Sequence, residues 1–163
     1  MYETVFKSLN DNGIRYLVVG GVAVLLYGFL RVTADLDIMI DFDDNNIKSF
    51  IKTLKNLGYK PKVPVSLDDF ALSENREKWK KEKGMLVFSL YHPQHPEDII
   101  DVFIYEPVPF IECYHRRKLI YAEDLAISVI SIEDLISLKK ISGREQDLED
   151  IKALNEIKKE YEK

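Results

Sequence analysis

The chain has 163 residues, 46% hydrophobic and 31% charged, with 7 glycines and 6 prolines. That is the composition of one globular domain, expected to span residues 1–163, and it excludes a disordered or low-complexity chain. The formal charge of −5, from 23 basic and 28 acidic residues, argues against coating nucleic acid by bulk attraction. The lone cysteine, Cys113, rules out an internal disulfide or a Cys-rich zinc site and suits a reducing, cytoplasmic setting.

Tyr2, Val5, Phe6 and Leu9 recur at helical spacing, and Asn12-Gly13 ends that helix. No cleavable leader is expected, because Tyr2, Glu3 and Lys7 precede any apolar stretch. The uncharged run YLVVGGVAVLLYGFL, from Tyr16 to Leu30, falls short of the roughly 20 residues that span a bilayer. It divides instead into a strand over 14–19, a turn at Gly20-Gly21 and a helix over 22–27. Residues 36–42 alternate, with Leu36, Ile38 and Ile40 on one face and Asp35, Asp37, Met39 and Asp41 on the other. This predicts a half-buried strand with an acidic outer face.

Ile47, Phe50, Ile51, Leu54 and Leu57 form an amphipathic helix that stops at Gly58. Residues 59–84 carry no clear period beyond a short helix near 67–72, and the stretch around Trp79 reads as a charged face. Strands follow at 85–91 and 99–105, joined by the turn-rich HPQHPED, and a last strand at 125–130. Ser131 is an N-cap for a helix running to Ser142-Gly143, and a closing helix begins at Arg144. Interspersed strands and helices predict an α+β, mixed α/β fold: a mixed twisted sheet flanked by helices, with helices at the C-terminus.

A glycine pair between strand and helix lets backbone N–H groups approach a phosphate, though a tight turn needs the same residues. Asp35 and Asp37, two apart on a strand, project from one face, so both carboxylates reach the same hard cation; a solvated edge strand is the plainer reading. Asp101 lies in the apolar strand IIDVFIY, where an acid is costly without a partner, whether a basic residue or a metal. Placed beside Asp35 and Asp37, it completes a three-carboxylate site for Mg2+ of the kind phosphoryl transfer uses.

The stretch GGVAVLLYGFLRVTADLDIMID resembles the signature of the nucleotidyltransferase superfamily, which shares the DNA polymerase beta fold, and in particular its small bacterial branch with the AbiEii-type toxins. The resemblance implies a triphosphate held at Gly20 and Gly21, metal held by Asp35, Asp37 and Asp101, and an R-x-T lead-in at Arg31 and Thr33. It extends to LKKISGREQDLEDIKAL, where Lys140, Arg144 and Asp147 share a face if one helix continues unbroken. These residues would touch the nucleotide or brace the site, or form a surface ion-pair ladder. Val22 stands where many transferases have a serine.

The implied activity is Mg2+-dependent transfer of a nucleoside monophosphate from a nucleoside triphosphate to an acceptor, releasing pyrophosphate. The acceptor is an RNA such as tRNA, a protein or a small molecule, and a toxin role would add an antitoxin protein as partner. No membrane is involved. The alternative is a non-catalytic nucleotide-binding or interaction module that keeps the fold. Elsewhere, DFDDNN at 41–46 lacks the glycine and glutamate of a calcium loop and reads as an acidic helix start. His92, His95 and His115 lack zinc spacing. Trp79, amid basic residues, is open to base stacking or to a solvated face with one buried aromatic, and the cluster His115-Arg116-Arg117-Lys118 is open in the same way. Cys113 is expected to be inert.

Overall fold

A computed structural model describes residues 2–33 and 35–162. Seven α-helices, a 3-10 helix at Leu67–Ala71 and seven strands are interspersed along the described chain. The strands form one mixed sheet in the order β3-β4-β5-β2-β1-β7-β6. β1 (Tyr16–Val19) is buried at all four positions, and its β-branched and aromatic side chains suit the centre of a covered sheet. It runs antiparallel to β2 (Leu36–Ile40) and parallel to β7 (Leu125–Val129). β2 in turn runs parallel to β5 (His95–Phe103).

β4 (Val87–His92) and β5 make a hairpin around Pro93-Gln94, in which His92 pairs across to His95. The two histidines are thus ladder ends, not members of a metal site. One edge of the sheet is the two-residue β3 (Lys60–Pro61), where a proline missing its N–H costs least. The other edge is β6 (Lys118–Ala122).

The amphipathic helices α1 (Glu3–Asp11) and α3 (Asp44–Asn56) bury Val5, Phe6, Leu9 and Ile47, Phe50, Ile51, Leu54 respectively, as their spacing requires. Asp43 caps α3, accepting from the N–H groups of Asn45 and Asn46, so the acidic run is a helix start. α6 (Ile132–Ser142) starts under a Ser131 cap and stops where Gly143 adopts φ +63°. α7 (Glu145–Tyr161) packs against it.

Two expectations change. The outer face of β2 is not solvated along its length: Met39 is buried, because β2 is central in the sheet and α2 (Gly20–Leu26) packs on it. The charged stretch after residue 72 is a regular helix, α4 (Ser73–Lys83). It buries only Arg76 and Trp79. Trp79 stacks on Phe88 with centroids 5.2 Å apart, and Arg76 lies over Phe42 and Phe70, so neither is free to meet a base. A further short helix, α5 (Phe110–His115), buries Phe110 and Cys113; burial pushes the thiol up to about 11, out of the nucleophilic range.

Candidate active site

β1 passes into α2 with no loop between them, and the sharp change of direction falls on Gly20, at φ +67°. A glycine is required there twice over: the backbone is left-handed, and a Cβ would overlap the Asp37 carboxylate on the neighbouring strand. At Gly21 a Cβ would run into the side chains of Arg31 and Thr33. No side chain caps α2, so its first N–H groups, which have no intrahelical acceptor, stay available to an anion.

The strand register aligns the acids. Val19 pairs with Asp37, Asp37 with Asp101, and Asp101 with Ser89, one row across four strands. Asp35 lies just ahead of β2, in a bend and not on the strand, and still interacts with Asp101. Ser89 Oγ donates to Asp101 Oδ1 at 2.5 Å. Burial, then repulsion from Asp101 and from Asp35, raises Asp37 from the ordinary 3.8 to about 7. Asp35 is raised by burial and by Asp101, whose carboxylate is close enough to share its proton.

Among the described residues, no three His, Cys, Asp or Glu side chains are already spaced around one ion. The donor set nonetheless suits a hard divalent cation, since the cluster is all oxygen and its crowded negative charge holds protons that a cation would displace.

Beside the acids lies a wall of cations. Lys139, only 5% exposed, contacts Asp147 at 3.1 Å and Asp150 at 2.9 Å. Arg31 Nη1 reaches Asp150 Oδ2 at 3.1 Å, and Arg144 Nε reaches Asp147 Oδ2 at 3.1 Å. Burial opposes ionisation of Asp147, but hydrogen bonds from Arg144 and Lys139 more than offset it and hold the carboxyl below its ordinary value. The wall corrects one sequence expectation. Gly143 breaks the helix, so Lys140, Arg144 and Asp147 do not share a face; Lys140 is exposed and Lys139 takes the inner position. Asp150 and Ser89 join the site without having been anticipated. The signal for Lys139 and Asp150 was phase: Ile132, Leu135, Ile136, Lys139 and Asp147, Asp150, Leu154 are the buried stripes of α6 and α7.

The site opens as two joined lobes that share Asp37, Asp101, Lys139, Arg144 and Asp147. The polar lobe, about 310 Å³, adds Gly21, Arg31, Thr33 and Asp35. The larger, about 520 Å³, is mostly apolar beyond the shared residues, with Tyr105 and Ser142 as its hydroxyl-bearing members. Gly20, Gly21, Arg31, Thr33, Arg144 and the three aspartates thus converge, and Lys140 alone of the expected residues stands apart.

Residues 3–160 match the family described as nucleotidyltransferase of unknown function, DUF6036. The chain belongs to this family. Solved structures similar to this nucleotidyltransferase include the lincosamide antibiotic adenylyltransferase LnuA bound to lincomycin, at 21% identity and TM-score 0.59, covering 94% of this chain and 93% of LnuA. The antibiotic-resistance factor ANT(2'')-Ia matches at 8% identity and TM-score 0.60, over 94% of this chain and 79% of that one. An antigenic nucleotidyltransferase-like protein from Paracoccidioides brasiliensis matches at 16% identity and TM-score 0.58, over 93% and 72%. At these identities the likeness is one of fold. No curated protein matches the chain. No helix among the described residues is long and apolar enough to cross a membrane.

Proposed function

We propose that this nucleotidyltransferase moves a nucleoside monophosphate from a nucleoside triphosphate to an acceptor hydroxyl and releases pyrophosphate. The observation that carries this reading is the juxtaposition, in one pocket, of three mutually repelling aspartates with the cations Arg31, Lys139 and Arg144. Asp35, Asp37 and Asp101 would hold Mg2+, turning from one another towards it. The ion would neutralise the triphosphate and acidify the acceptor hydroxyl.

The acceptor oxygen bonds to the α-phosphorus as the bond from that phosphorus to the bridging oxygen breaks. The hydroxyl proton passes to Asp101, and the bridging oxygen leaves with pyrophosphate. Arg31, Arg144 and the N–H groups at Gly20-Gly21 hold the charge that builds on the departing group. Thr33, against Gly21, offers a hydroxyl in the polar lobe.

The other reading, a module that binds nucleotide without turnover, is favoured by Val22, which supplies no hydroxyl to a phosphate. A toxin role with an antitoxin partner rests on the sequence resemblance alone. Calorimetric titration of each nucleoside triphosphate with Mg2+ into wild type and Asp37→Ala tests the site. At least tenfold weaker binding by the variant is expected, on the order of 1.4 kcal/mol, and equal binding sinks the assignment. Transfer of an α-phosphate label that needs Asp37 then separates the enzyme from the module.

A further inference from the structure

The geometry points to the apolar lobe as the acceptor site, and to an acceptor that is a hydroxylated small molecule with an apolar, ring-bearing body. This inference rests on the transfer reading above. In displacement at phosphorus the attacking and leaving oxygens stand roughly in line. Gly21, Arg31 and Thr33, among the anion-holding groups, line only the polar lobe, Gly20 borders the larger one, Asp101 borders both, and Phe103 and Tyr105 line only the larger. The leaving pyrophosphate therefore departs towards α2, and the acceptor enters past Asp101.

Past Asp101 the chain builds a slot. Asp101, Phe103 and Tyr105 alternate along β5 and its continuation, so the acid and two aromatic rings fall on one side. The rings stack at 6.1 Å and 26°. Facing them across the cavity, α6 contributes Leu135, Leu138 and Ile141. The mouth is apolar too: Leu86 is 52% exposed and Ile141 61% exposed, large side chains left uncovered where the cavity opens. A volume of about 520 Å³ lies within the range that encloses small organic ligands, roughly 300–1,000 Å³.

Charge argues against a polynucleotide here. A nucleic acid strand is gripped by cations that track its phosphates. The cations lining this lobe are Lys139 and Arg144, too few to track the phosphates of a strand.

Leu86→Glu and Ile141→Glu test the proposal, because both positions are exposed enough to accept a charge without unfolding the chain. The probe is 2-naphthol, a bicyclic aromatic alcohol, followed by its own fluorescence. Wild type is expected to bind it, and each variant to bind it at least roughly tenfold more weakly, since a carboxylate in an apolar slot must be desolvated. Affinity for the nucleoside triphosphate should be unchanged in both variants. Failure to bind 2-naphthol, or equal binding by the variants, overturns the proposal. A parallel loss of triphosphate affinity overturns it as well, by placing the nucleobase in the slot.

In a second arm, wild type with Mg2+ and α-labelled nucleoside triphosphates meets 2-naphthol, an RNA oligonucleotide and a tyrosine-containing peptide together. Label on 2-naphthol supports the acceptor class, and label on the RNA or peptide alone overturns it. If 2-naphthol binds in the slot but no label moves to any acceptor, the transfer reading fails and the acceptor role falls with it, while the slot remains a binding site.

Discussion

Two sets of carboxylates share one pocket and respond to it in opposite directions. Asp147 is almost wholly buried, at 1% exposed, yet its carboxyl lies below the ordinary value because Arg144 and Lys139 hydrogen-bond to it. Asp37 keeps more contact with water, yet it is raised to about 7 by desolvation and by the neighbouring Asp101 and Asp35. Burial pushes both carboxyls up; what separates them is their partners, cations at Asp147 and fellow aspartates at Asp37. The α6–α7 set is a finished structure, with its counter-charges supplied by the chain. The β2–β5 set lacks counter-charges of its own, which a bound cation would bring.

The comparison can be broken at its catalytic end first. Asp101→Asn removes the proposed proton acceptor, and transfer should fall about 10²- to 10⁴-fold. Because the substitution also removes repulsion, the unfolding midpoint of the metal-free protein should hold or rise. A lower midpoint would show Asp101 to be a structural ion-pair member instead.

Next in size is the structural end. Asp150→Ala leaves Lys139 buried with one partner and strips Arg31 of its contact at 3.1 Å. Breaking a buried pair from one side costs about 3–5 kcal/mol, and urea unfolding should record it.

The third effect is a slope, spread over several pH units. The folded state raises Asp37 above its unfolded value, so the metal-free protein is favoured fully below about pH 4 and loses that advantage as pH rises through about 7. Between those limits, stability in the presence of chelator should fall with rising pH by at most about 1.4 kcal/mol per unit. Asp35, also raised, works in the same sense. Asp37→Asn should flatten the curve; an unchanged slope would mean that Asp37 is not the group being titrated.

Legibility in the sequence followed the strength of local periodicity. The aspartates could be read because strand alternation places Asp35 and Asp37 together, and the apolar bracket around Asp101 marks it as costly. What the sequence could not supply was register, the long-range fact that aligns Val19, Asp37, Asp101 and Ser89. Lys140 was chosen over Lys139 by extending one helix through Gly143, although the apolar stripe of α6 already contained position 139. The helix α4 hid because its contacts to the core come from an arginine and a tryptophan among charges, which leaves almost no apolar stripe. Edge strands β3 and β6 were missed for a related reason: largely uncovered, they bury too little to show a two-residue alternation.

The ion pair between Arg31 and Asp150 joins positions 119 residues apart. Along the chain the glycine turn and Arg31 come first, and Asp147 and Asp150 follow only after every strand of the sheet. Without these two carboxylates Lys139 loses both of its ion pairs and the cationic wall cannot set. The aspartates of β2 and β5 therefore precede the wall that faces them, and Arg31 and Lys139 are held only once α7 has docked.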